Sequence, residues 1–202
     1  VELRELLEKR RMVRSFDATP VDLDWLEERC TQALWAPSAG NAAGVRMYTV
    51  SRALVPSFFE AATDEQWRAT ARRAAGLARA GAIVLVTSRP EDYASRYGEA
   101  DKSGSGLEDT GAWSVPYWHA DAAMATMALL LLVEEAGWQA TIWGNFRNGD
   151  RILRWAKVED EQLFCSVLIG RADGNDVTSR SLQREVPSRA QRVRRVSQSP
   201  LD

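Results

Sequence analysis

The stretch "RRMVRSF", Arg10 to Phe16, sets Arg10, Arg11 and Arg14 close together in a chain that is slightly acidic overall, with 26 Lys+Arg against 28 Asp+Glu. Taken alone it has two readings. It can be a solvated helix end whose arginines complement the helix dipole. It can also be an anion clamp, because guanidinium forks bind phosphate oxygens bidentately. A second arginine-rich run near the other end, "REVPSRAQRVRR" (184–195), raises the question of whether both ends of the chain converge on one anion.

Outward from that stretch the elements follow from periodicity. Before it, "VELRELLEKR" carries Leu3, Leu6 and Leu7 at helical spacing. After it, "TPVDLDWLEERCTQALWAPS" repeats the pattern with Leu23, Leu26, Cys30 and Leu34. Asp22 or Thr19 can cap its start, and Pro37 marks its end. "VRMYTVS" (45–51) and "AIVLVTS" (82–88) read as strands, the second as a buried one. Between them, 63–80 reads as one Ala/Arg-rich helix. The segment 89–118 is a long Gly/Ser-bearing loop rich in aromatics, a length that usually signals function. "HADAAMATMALLLLVEEAG" (119–137) is apolar on nearly every face and is expected to be a buried central helix that Gly137 stops. "WQATIW" and "QLFCSVLIG" read as strands with the short helix "NGDRILRWAK" between them. Isolated strands mixed with long helices predict an α+β fold rather than regular βαβ winding. There are no repeats and no clean boundary, so residues 1–202 are expected to form one domain, with about 171–202 as a polar, extended arm.

Composition narrows the function. A net charge of -2 argues against nucleic-acid binding. The longest apolar run, Ala122 to Val133, is too short to span a bilayer, and the N-terminus carries no apolar signal core. Cys30 and Cys165 have neither CxxC nor Cys/His spacing, which points away from a disulfide framework or zinc and toward a reducing compartment, the cytoplasm. Eight tryptophans suit flat apolar pockets. The single histidine, His119, stands at a helix start, where a cap or packing role is the ordinary one. No GxSxG, HExxH, GxxxxGK[ST] or strand-following GxGxxG occurs. The chain is therefore a binding protein or an enzyme whose cofactor carries the chemistry. Two further segments favour the second. "WAPSAGN" (35–41) is either a helix stop or a place where Ser38, Gly40 and Asn41 let backbone approach a ligand. "IWGNF" (142–146) is either a strand end or a backbone N–H facing a flat ring at Gly144.

In order and spacing, Arg-Arg-x-Val-Arg-x-Phe, a helix, Ala-Pro-Ser-x-x-Asn, the long apolar helix, Ile-Trp-Gly and the final Leu-Ile-Gly strand resemble the FMN-dependent nitroreductase family over nearly the whole chain. The resemblance implies a three-layer α/β/α fold with a mostly antiparallel central sheet, a long buried central helix and a C-terminal tail exchanged in a homodimer. It implies FMN at the dimer interface, with Arg10, Arg11, Met12 and Arg14 at the phosphate and pyrimidine side. Pro37, Ser38, Ala39, Gly40 and Asn41 would lie along the ring and ribityl chain, and backbone near Ile142, Trp143 and Gly144 would reach flavin N5. A tail arginine would take the phosphate, Arg189 first, with Arg184 and Arg192 next. It implies two-electron transfer from NADH or NADPH to a flat small-molecule acceptor, nitroaromatic or quinone-like, with Trp113, Tyr117 and Trp118 as pocket walls. No side chain is expected to be catalytic, because flavin N5 carries the chemistry. A flavin-dependent dehydrogenase of a peptide or heterocyclic metabolite and an FMN-sequestering protein are the alternatives. Two departures stand out: Met12 occupies a position where the family often has Ser, and "AAGVR" (42–46) replaces the usual Gln-Pro-Trp.

Overall fold

The computed structural model describes residues 2–144, 147–177 and 179–195. Four strands form one antiparallel sheet: β1 (Val45–Ser51), β2 (Ala82–Ser88), β3 (Gln139–Trp143) and β4 (Gln162–Gly170), in the order β1-β2-β4-β3. β2 is buried along its whole length, as its unbroken apolar sequence requires of a central strand covered on both faces.

The two faces follow from the pleat. Ala82, Val84 and Val86 share a core with Cys165, Val167 and Ile169 under α2 (Leu23–Ala33) and α7 (Tyr117–Glu135). Ile83, Leu85 and Leu168 point the other way, into Phe58 and Phe59 of α3 (Val55–Ala62), Leu77 of α5 (Ala74–Leu77) and Ile152 of α8 (Gly149–Ala156). The result is the expected three-layer α/β/α arrangement. Asp22 caps α2, its side chain accepting from Trp25 N. α7 begins at Tyr117, two residues ahead of the expected start, and ends before Gly137, whose φ of +80° turns the chain into β3.

Two expectations need correction. The single helix over 63–80 is instead α4 (Glu65–Thr70) and α5, with Ala71 extended between them. Tertiary contact accompanies the break. Phe16 N donates to the Gly76 carbonyl at 3.3 Å, and a Cβ on Gly76 would stand 2.7 Å from the Arg14 carbonyl. The Arg10–Phe16 stretch therefore packs closely against α5. The long aromatic loop is also more ordered than its composition suggested: α6 (Pro90–Tyr97) opens it, with Pro90 in the first turn. A seven-residue helix, α1 (Leu3–Lys9), precedes the arginines.

Candidate functional site

The Arg10–Phe16 stretch is extended and anchored at both ends. Met12 forms a parallel bridge with Ala140 of β3, and Val13 N donates to the Ala140 carbonyl at 3.1 Å. Phe16 bridges Ala172 and is fully buried. Val13 and Phe16, both buried, thus act as pegs that fix Arg14 between them. The Met12 sulfur accepts from Ile142 N at 3.4 Å, which ties the stretch to the Ile142–Gly144 strand end.

What those arginines face is short of negative charge. Among the described residues, Nε and Nη1 of Arg10 are buried without a hydrogen-bond partner, an arrangement that folded proteins seldom leave without a purpose. Arg14 donates from Nη1 to the Met12 carbonyl at 3.1 Å and lines a cavity of about 480 Å³ with Trp67, Arg72, Arg73, Trp143 and Ser179. Burial, and then the neighbouring Arg73, lower the pKa of Arg14 from its ordinary value, with Asp176 opposing. Trp143 lies across this cavity in an aromatic group, its ring centroid 5.1 Å from that of Phe59 and 5.6 Å from that of Trp67. Gly144 follows it, half-buried; Asn145 and Phe146, the remainder of "IWGNF", lie outside the described residues. The sequence had not marked Trp67, Arg72 and Arg73, because they fall within the segment read as one Ala/Arg-rich helix. The signal was present as a third concentration of arginines in an acidic chain.

The C-terminal arm reaches the same place. Arg73 Nη2 donates to the Val177 carbonyl at 3.0 Å, and Ser179 and Ser181 line the cavity. Arg184 and Arg189 follow further along the arm and are exposed.

The Pro37–Asn41 turn belongs to a second group of residues. Gly40 and Asn41 both have positive φ, +61° and +57°. Arg96 Nε donates to the Gly40 carbonyl at 2.8 Å, and its other nitrogens clasp Asp101 at 2.7 Å each. Ala39 N donates to Asp121 of α7 at 2.9 Å, and Pro37 and Ser38 line a smaller cavity beside it. The three expected wall residues adjoin this turn. Trp113 packs edge-on to Tyr97, with centroids 4.7 Å apart, and also meets Tyr93, Tyr117 and Trp118. Trp118 is buried, and Tyr117 is exposed.

The two groups do not meet within one chain. Met12 lies outside β3 at one sheet edge, while Pro37–Asn41 leads into β1 at the other. Four strand spacings separate them, roughly 19 Å at about 4.8 Å each. They also stand at opposite ends of the strands, because Met12 is level with Ala140, Ile169, Ala82 and Ser51, whereas the turn enters at Val45.

Neither thiol is an alternative centre. Burial pushes Cys165 up to about 11 and Cys30 up to about 12. Among the described residues no group of His, Cys, Asp and Glu is placed to hold a metal ion, and no helix is long and apolar enough to cross a membrane.

Comparison with solved structures gives the same architecture. The chain superposes on a gut-bacterial enone reductase with a TM-score of 0.66 and 18% identity, covering 93% of this chain and 98% of that one. It superposes on a protein from Staphylococcus epidermidis assigned as an NAD(P)H:FMN oxidoreductase with a TM-score of 0.68 and 17% identity, over 97% and 96% of the two chains. A protein from Exiguobacterium sibiricum assigned as a nitroreductase, solved in complex with FMN, matches with a TM-score of 0.62 and 16% identity over 93% and 94%. No curated protein sequence matches the chain. The model of the nitroreductase family matches residues 7–171, and the chain therefore belongs to the nitroreductase family.

Proposed function

We propose that this chain is an FMN-dependent oxidoreductase that works as a homodimer, passing two electrons from NADH or NADPH to a flat, conjugated small molecule such as a nitroaromatic or a quinone. The observation that carries the reading is the buried, unpartnered pair Arg10 Nε and Nη1 on the same stretch as Arg14. A phosphate monoester supplies the missing acceptors and charge. The cavity of Arg14, Arg72 and Arg73 extends the positive region beyond one phosphate, and its Trp67 and Trp143 rings suit a planar body. The residues present thus fit FMN.

When bound, FMN supplies hydride transfer at its ring N5. The protein's part is to bind, orient and shield. Arg10 and Arg11, with Arg189 or Arg184 of the arm, hold the phosphate, while Arg14 serves the pyrimidine side. Ile142, Trp143 and Gly144 form one wall. Pro37, Ser38, Ala39, Gly40 and Asn41 come from the second copy, because one chain holds them too far from its own Met12. Trp113, Tyr117 and Trp118 of that copy then border the acceptor. Exposed Trp35, Leu34, Met124 and Ile142 support an apolar contact between copies, and the arm after Gly170 is proposed to exchange across it. The two buried free thiols suit a reducing compartment such as the cytoplasm.

Anaerobic stopped-flow mixing of the FMN-loaded protein with NADH and NADPH tests this. Flavin absorbance should bleach with at least one donor and return when a nitroaromatic or quinone is added. FMN binding without bleaching would make the chain a sequestering protein. A colourless protein that also fails to take up FMN overturns the proposal.

A further inference from the structure

A second cavity, of about 140 Å³, lies beside the Pro37–Asn41 turn and is unlike the arginine-lined one. Its walls are mostly apolar, including Leu34, Ala43, Val45 and Ala125, and its polar groups are Ser38 and Asp121. Asp121 is 2% exposed, yet among the described residues its Oδ1 has no hydrogen-bond partner.

The surrounding network explains why the protein does not supply one. Ala43 N donates to Ser38 Oγ at 3.0 Å. The ring of Tyr93 on α6 packs against Gly44, just past the turn. Tyr93 donates to Asp121 Oδ2 at 2.8 Å, and Ala39 N donates to the same oxygen at 2.9 Å. Both donors that reach Asp121 are directed at the same carboxylate oxygen. The other oxygen and the charge remain, and among the described residues no Lys or Arg forms an ion pair with Asp121. A buried carboxylate oxygen with no donor of its own is open to one from outside, and a cationic donor also supplies a counter-charge.

We infer that this cavity is a binding subsite for a protonated alkylamine, with Asp121 Oδ1 as its anchor. The apolar walls take the carbon next to nitrogen, and the volume admits a short aliphatic amine rather than a second ring. Tyr93 acts as a positioning residue that, with Ala39 N, holds Oδ2 and leaves Oδ1 free. On the functional reading given above, this makes amine-bearing aromatic acceptors the preferred substrate class. The subsite stands at the turn proposed to border the flavin.

The test compares 4-nitrobenzylamine with 4-nitrobenzyl alcohol as acceptors for the FMN-loaded protein near neutral pH. The wild type should favour the amine in kcat/KM by about tenfold to a hundredfold, the range of one charge-assisted hydrogen bond. Asp121→Asn should collapse that ratio toward one. If Asp121→Asn folds poorly, Val45→Phe, which fills the cavity and leaves the carboxylate in place, should collapse it as well. No preference in the wild type, or a preference that survives both substitutions, overturns the inference. If neither acceptor is reduced, the redox reading fails by itself. Saturation-transfer NMR with benzylammonium and benzyl alcohol then decides the subsite. Contact from the ammonium, lost in Val45→Phe, supports it, and equal signals from both probes overturn it.

Discussion

Replacing Arg10 by Met separates binding from folding, because the two effects have opposite signs. In the protein without FMN, Nε and Nη1 of Arg10 are buried and unpartnered. A buried polar group left unsatisfied destabilises the fold by about 1–3 kcal/mol. The residue as a whole is only half-buried, so the lower end, about 1 kcal/mol, is the expected gain on replacing the head group by a thioether of similar length. For a chain of this size that raises Tm by about 2–4 °C. The same substitution removes at least one charge-assisted bond to phosphate, worth about 1.5–3 kcal/mol, so FMN affinity should fall about tenfold to a hundredfold. Riboflavin, which lacks the phosphate, should bind as it does to the wild type. The assays are thermal unfolding of the flavin-free proteins and fluorescence titration with each flavin. An Arg10→Met protein that melts lower than wild type and loses FMN and riboflavin equally would falsify the reasoning, since Arg10 would then be a structural residue.

Gly40→Ala should lower Tm by several degrees. It places a side chain at φ +61°, and the new Cβ would stand 2.6 Å from the Tyr97 ring, a combined effect of about 1–2 kcal/mol; an unchanged melting curve contradicts this. His119 gives a pH dependence. Burial holds its pKa below the ordinary value, so the unfolded chain takes up a proton first. Stability should fall as pH drops below about 6.5, and His119→Phe should remove that part of the slope. Urea midpoints at about pH 8 and about pH 5 check it, and a wild-type-to-variant difference equal at both pH values rules it out. Dimerisation and flavin binding should be linked: sedimentation of the flavin-free protein should show dissociation on dilution that FMN opposes. A monomer that retains FMN would remove the shared-site arrangement.

Much of the fold was legible in the residues because local patterns and tertiary needs coincide. Val45–Ser51, Ala82–Ser88 and Gln162–Gly170 were bounded by the chain's own punctuation, and the structure keeps those bounds. Asp22 and Gly137 fixed ends of α2 and α7 through capping chemistry that acts within a few residues. The helix expected over 63–80 is broken at Ala71, and its second part, α5, packs at Gly76 against Arg14 and Phe16, more than fifty residues away in sequence. α6 was hidden in a segment whose composition reads as loop, although Pro90 opens it and Arg96, one residue before its end, locks it to the Gly40 carbonyl. The arginines of Arg10–Phe16 were visible in the sequence. That Arg10 Nε and Nη1 lack partners among the described residues was not, because that depends on which acceptors the fold brings near. The same holds for Asp121, one acidic residue in an apolar helix, whose free oxygen exists only because Tyr93 and Ala39 both bond to the other one. Periodicity and capping are properties of neighbours along the chain, and the sequence determined them by itself. Satisfaction of buried charge and the separation of the two site halves are properties of neighbours in space, and only the tertiary structure decided them.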